Sequence, residues 1–247
     1  MITVKDRVTP ALATAVERLA DHLWDRDPGA PLSQELLVWL AGSPRFRSFA
    51  ETNRDKIRKK FRGAADPEAV RDVRTELAIA RHLLDDRRIE LAFEAYGSGK
   101  TGPDLTITFR GARSFNLEIT RLRRLPDVNG LGASLLAKLR QLPPSVPNGI
   151  LVAIDGETAQ AIDVDAATRA LRSRADAKDD AFFAARGFDG TRGFYDRYLR
   201  LSAVFVWAEA ADKDARATLW FNRSARIAMP EPAARASLRR FLERDGG

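Results

Sequence analysis

Between Asp104 and Thr120 apolar and polar residues alternate through two successive runs, and that alternation allows one strand pairing. Leu105, Ile107 and Phe109 alternate with Asp104, Thr106 and Thr108, while Phe115, Leu117 and Ile119 alternate with Asn116, Glu118 and Thr120. A period of two marks strands with one face buried. If the connecting loop is Arg110-Gly111-Ala112, Leu105 faces Leu117, Ile107 faces Phe115, Thr106 faces Asn116 and Asp104 faces Glu118. A slip of one residue would set every apolar side chain against a polar one. The favoured register has one unfavourable rung, because two opposed carboxylates repel unless a cation lies between them.

The flanking segments read as support for this hairpin. Asp66-Pro67-Glu68 is a strong helix start, with an Asp cap, proline at the first helical position and an acid in the first turn. At about 100° per residue, Val70, Val73, Leu77, Ala80 and Leu84 form one apolar stripe. Glu76 lies on its edge, where a half-buried carboxylate needs either a basic partner or a metal. His82 falls on the opposite side and is expected to face solvent. Ile89 to Tyr96 reads as a strand with Glu90 and Glu94 on one face, and a bend through Gly97-Ser98-Gly99-Lys100-Thr101-Gly102 leads back to Asp104. Downstream, Leu131 to Leu142 reads as a helix carrying Lys138. Gly149 to Ile154 is a continuous apolar strand of the kind buried on both faces. Helices over Asp165–Arg174 and Asp180–Arg200, the second interrupted near Gly187–Gly193, precede strands over Leu201–Ala208 and Ala217–Phe221 and a helix after Pro230.

Residues 1 to 65 are expected to be a helical subdomain. One helix opens at Thr9-Pro10 and carries Leu12, Val16, Leu19 and Leu23; another begins near Ser33 and stops at Gly42-Ser43-Pro44. Phe46 to Arg62 reads as a basic amphipathic segment, with Phe46, Phe49, Ile57 and Phe61 on its apolar side. Such a helix either grips phosphates or presents a solvated face.

Composition removes several classes of function. With no cysteine, disulfides, zinc–thiolate centres and cysteine nucleophiles are excluded. With only His22 and His82, multi-histidine metal sites and serine–histidine triads are not expected. A metal here would be held by oxygen, which points to magnesium, manganese or calcium. No apolar run approaches the ~20 residues of a membrane span, and the N-terminus has no signal-peptide core, so a cytoplasmic protein is expected. Forty-one basic residues against 34 acidic ones give a net charge of +7, which suits a polyanionic partner such as nucleic acid.

Two motifs compete for the central stretch. GSGKT looks like the end of a phosphate-binding loop, and the strand ending at Asp155 looks like its acidic companion. The full pattern needs a glycine five residues before Gly99, where Glu94 stands, and a helix directly after Thr101, where Gly102-Pro103 intervene. The bend is therefore read as a connection rather than a nucleotide site.

The alternative covers Asp66 to Asp155. The order is a helix with Glu76, a strand with Glu94, Gly102-Pro103-Asp104 opening a strand, Glu118-Ile119-Thr120 in its neighbour, a helix, and the apolar strand 150–154. This resembles the PD-(D/E)XK nuclease-like superfamily. The resemblance implies an α/β, restriction-endonuclease-like fold with a mixed central sheet flanked by helices. The nuclease-like domain would run over 66–247, after the helical subdomain at 1–65. It also implies hydrolysis of a phosphodiester in nucleic acid, DNA favoured, with bound Mg2+ or Mn2+. Asp104 and Glu118 would hold the metal, helped by the Ile119 carbonyl and Glu76, with Glu94 on a second ion. Thr120 stands where the family usually has lysine, and it brings a hydroxyl but no charge. Lys138, Lys100 or Arg121 are the replacements in reach, and Lys138 ranks first because Arg121 points to the other strand face from Glu118. The same departure motivates an alternative, a catalytically inactive nuclease-fold protein serving as a nucleic-acid-binding or regulatory module. No membrane partner is expected, and a homodimer stays open.

Overall fold

The computed structural model describes residues 10–24, 32–96, 102–155, 158–209 and 216–242. The chain divides into two compact units, Met1–Arg87 and Arg88–Gly247.

The first unit is helical: α1 (Pro10–Trp24), α2 (Ser33–Gly42), α3 (Pro44–Thr52), α4 (Arg54–Gly63) and α5 (Pro67–Leu84). Ser43 caps α3 by accepting the Phe46 N–H, and Asp66 caps α5 by accepting the Ala69 N–H, each with proline in the first turn. Leu23, Leu36, Leu40, Phe46, Ile57 and Leu77 fill its core. The basic segment read as continuous from Phe46 to Arg62 is two helices. Asn53 leaves helical geometry at φ −107°, ψ 14°, and its amide donates back to the Phe49 carbonyl, the side-chain competition that makes Asn a helix breaker.

The unit boundary lies at 87/88, beyond the 65/66 division expected from sequence, because α5 is tied into the helical unit. Arg74 makes a two-pronged ion pair with Glu35 at 2.5 and 3.0 Å, and Arg45 donates to the Leu84 and Asp86 carbonyls. His82 corrects the sequence reading: it is 3% exposed, not solvent-facing. Thr75, Ala78, Ile79 and Leu83 are buried along with Val73, Leu77, Ala80 and Leu84 of the expected stripe, while Val70 is half-buried, so the second half of α5 is enclosed around most of its circumference.

The second unit is α/β. Its elements are β1 (Ile89–Phe93), β2 (Leu105–Phe109), β3 (Arg113–Leu122), α6 (Val128–Leu139), β4 (Asn148–Ile154), α7 (Val164–Asp176), α8 (Asp180–Ala184), α9 (Gly190–Tyr198), β5 (Leu201–Ala208), β6 (Ala217–Phe221) and α10 (Glu231–Leu242). The six strands form one mixed sheet in sequence order. The pairings β1–β2, β2–β3 and β5–β6 are antiparallel, whereas β3–β4 and β4–β5 are parallel. Parallel neighbours need crossover helices, and α6 and then α7–α9 supply them. β4 and β5 are buried at every position, as strands covered on both faces should be.

Strand alternation sorts the side chains onto two faces. Ile150, Val152, Ile154, Val204 and Val206 pack with Leu131, Leu135, Leu171, Phe183 and Phe194 from α6 to α9. On the other face Phe115 stacks on Phe205 at 6.2 Å, and Phe205 and Trp207 meet Phe241 of α10. Between β2 and β3 the observed rungs are Leu105–Leu117, Thr106–Asn116 and Ile107–Phe115, the register that the alternation requires. β1 stops at Phe93, three residues short of the expected end, because Glu94 has φ +45° and turns the chain off the strand. Among the described residues no helix is long and apolar enough to cross a membrane.

Candidate functional site

Of the sequence-selected residues, Glu118 and Lys138 are in contact, and Asp104 bonds the backbone of β3 at the residue after Glu118. The backbone ladder ends at Leu105–Leu117, and Asp104 stands one step before β2. Its side chain takes over where the ladder stops, with Oδ2 accepting the Ile119 N–H at 2.8 Å. A strand N–H at the end of a ladder needs an acceptor, and a carboxylate supplies a charge-assisted one. The Asp104 carbonyl accepts the Glu94 N–H at 2.9 Å, which fixes the chain just before β2.

Glu118 lies on β3, opposite Ile150 of β4, and is only 1% exposed. Burying an ionised carboxylate is costly unless it is paired. Lys138 supplies the pair from the last turn of α6, with Nζ 2.6 Å from Glu118 Oε1. The reach follows from the helix pattern. Leu131, Leu135, Leu136 and Leu139 bury one side of α6, and Lys138 sits at the margin of that side with its side chain 23% exposed. Its alkyl stem covers apolar surface while the ammonium reaches the acid.

Thr120 follows two residues after Glu118 on the same strand face, half-buried and opposite Val152. Arg121, on the other face, is committed elsewhere, pairing with Asp155 at 2.6 Å through a side chain 3% exposed. Lys100, with the bend Gly97–Thr101, lies outside the described residues. Glu94 occupies the positive-φ position after β1. Glu76 belongs to the helical unit, where its carboxylate is ion-paired with Lys60.

A buried polar network that the sequence reading did not single out adjoins the acids. Asn116, on the Glu118 face of β3, accepts from the Thr106 hydroxyl at 2.9 Å and donates to Asn148 Oδ1 and the Tyr96 hydroxyl. The Asn148 amide in turn donates to the carbonyls of Pro143, Val146 and Arg200. The available signal was an Asn at the head of an otherwise apolar strand, a position where only a satisfied polar side chain can be buried.

Two carboxylates set opposite each other, one step past the Leu105–Leu117 rung, offer hard oxygen donors of the kind magnesium and manganese prefer. Among the described residues no group of three or more His, Cys, Asp and Glu side chains comes together. Water, backbone or substrate oxygens could complete the shell of an ion held by Asp104 and Glu118, a mixed shell that magnesium usually keeps. Searched against protein-family models, curated proteins and solved structures, the chain matches none of them.

Proposed function

We infer that the Arg88–Gly247 unit is a PD-(D/E)XK nuclease-like domain that hydrolyses phosphodiesters of nucleic acid, DNA favoured, with a bound divalent metal. The observation that carries this reading is the Lys138–Glu118 contact beside Asp104. That contact gives one of the two acids a cation, although the strand itself offers only Thr120 where the lysine is usual. Asp104 and Glu118 would hold Mg2+ or Mn2+, and the ion supplies an activated water and neutralises charge on the phosphate. Lys138 holds Glu118 in one orientation and brings positive charge to the site, while the Thr120 hydroxyl offers a neutral donor. The Ile119 N–H holds Asp104 in the same way.

The test is cleavage of plasmid and single-stranded DNA in Mg2+ and Mn2+ by the wild type and by Asp104→Ala, Glu118→Ala and Lys138→Ala. Loss of metal-dependent cleavage in all three supports the assignment, and identical behaviour of wild type and variants removes it. A second reading, a non-catalytic nucleic-acid-binding or regulatory module, draws support from the same contacts. Both acids already have partners within the protein, the Ile119 N–H and Lys138. Salt-dependent DNA binding with no cleavage across a metal series would favour it.

A further inference from the structure

The β2–β3 turn and α10 enclose a cleft of about 510 Å³ whose lining, among the described residues, carries five arginines and no acid. Arg88, Arg110 and Arg113 come from the strand ends and the turn, and Arg235 and Arg239 from α10. All five are exposed. Arg235 spends part of its charge on Glu231, at 3.3 Å. The turn is a rigid mount. Arg110 donates its N–H to the Arg88 carbonyl at 2.7 Å, and Ala112 donates to the Phe109 carbonyl at 3.3 Å. Arg110 sits at φ +54°, a backbone conformation that favours glycine, and yet carries a guanidinium.

We propose that this arginine cleft binds the phosphate backbone of nucleic acid, at a place separate from the Asp104–Glu118 pair. Asp104 and Arg110 lie at opposite ends of β2, about 20 Å apart at strand rise, and Phe109 points to the opposite face from Asp104. Guanidiniums gathered this closely repel one another, and a ligand with dense negative charge relieves that repulsion. A duplex carries one charge per about 1.7 Å of axis, whereas an extended acidic peptide offers at most one per about 3.3 Å. The contact is to backbone rather than bases. The Phe109 ring, the aromatic side chain lining the cleft, already lies beneath Arg88 at 5.3 Å and Arg110 at 5.4 Å, which occupies it as a stacking platform. Binding is therefore insensitive to sequence and steeply dependent on salt.

The experiment is fluorescence anisotropy of the full chain with a labelled duplex of about 20 base pairs in EDTA, from 50 to 200 mM salt. With about four phosphate contacts, Kd weakens by about 10²-fold across that range. Arg113→Ala combined with Arg239→Ala lowers the salt slope by about 1.8 and weakens binding at least tenfold at 50 mM. Arg110→Gly relieves the positive-φ constraint, so it keeps the wild-type melting temperature while its slope falls by about 0.9. Arg169→Ala on α7, outside the cleft, leaves the slope unchanged. The proposal is overturned if the cleft variants keep the wild-type Kd and slope, if Arg169→Ala matches them, or if polyglutamate displaces the duplex at equal charge concentration. None of these readouts involves cleavage, so failure here is distinct from failure of the nuclease assignment.

Discussion

Replacing Lys138 with methionine isolates the central electrostatic claim about the acid site. The methionine keeps most of the stem that covers apolar surface and removes the ammonium 2.6 Å from Glu118 Oε1. Glu118, a carboxylate 1% exposed, then loses the Lys138 ammonium. Breaking a buried pair by removing one partner costs about 3–5 kcal/mol. Because Lys138 is 23% exposed, water can enter the vacated space, and we place the cost at the lower end, about 3 kcal/mol. For a chain of this length that lowers Tm by about 6–12 °C. Glu118→Gln retains an acceptor for Lys138 and leaves the ammonium partly hydrated, so it costs about 1–2 kcal/mol. The double variant recovers part of the loss, because the buried carboxylate charge goes with the ammonium, and it falls short of the sum of the singles by about 1–2 kcal/mol. Urea unfolding of the four proteins closes the cycle. A Lys138→Met cost under about 0.5 kcal/mol, or additivity within the usual ~0.5 kcal/mol, would refute the reasoning, since it would mean the pair is in effect solvated.

Three further outcomes follow from contacts elsewhere. Asp104→Ala leaves the Ile119 N–H without its acceptor and lowers stability by about 1–3 kcal/mol, whereas Asp104→Asn keeps an acceptor and loses less; denaturant midpoints separate the two. Asn148→Ala strips a fully buried amide from three carbonyls and from Asn116, and it should cost about 3 kcal/mol in the same assay, with Asn116→Ala non-additive because the network is shared. Hydrogen bonding from Arg200, with Arg226 adding to it, holds the Asp196 carboxyl below the ordinary carboxylate value. A lowered folded-state pKa contributes stability above about pH 4 and loses it as pH falls through the folded value. Asp196 is near the surface, so Asp196→Asn should cost less than about 1 kcal/mol at pH 7, with the difference from wild type vanishing in acid, as urea titrations at pH 7 and pH 3 would report.

The local decisions in this chain were legible from its residues. Alternation with period two located β2 and β3 and their register, because a slipped register would bury polar side chains on the core face. The Asp66-Pro67 cap started α5, and the unbroken apolar run at 149–154 announced a strand covered on both sides. The same register, carried one step past Leu105–Leu117, sets Asp104 opposite Glu118.

What no local pattern carries is which distant side chain answers a buried charge. Glu76 and Glu118 are each an acid at the margin of an apolar surface, and both demanded a partner. Glu76 found Lys60 on a neighbouring helix and Glu118 found Lys138 on a crossover helix. The burial of His82 was likewise settled by what packs around α5, since a single apolar stripe cannot tell whether the opposite side is covered too. The arginine cleft is the furthest from sequence reach. Arg88, Arg110, Arg113, Arg235 and Arg239 span most of the second unit and converge only because the β2–β3 turn and α10 come together. Hydrophobic period and capping act over a few residues and can be read along the chain. Charge pairing and enclosure act through space, and only tertiary structure decides them.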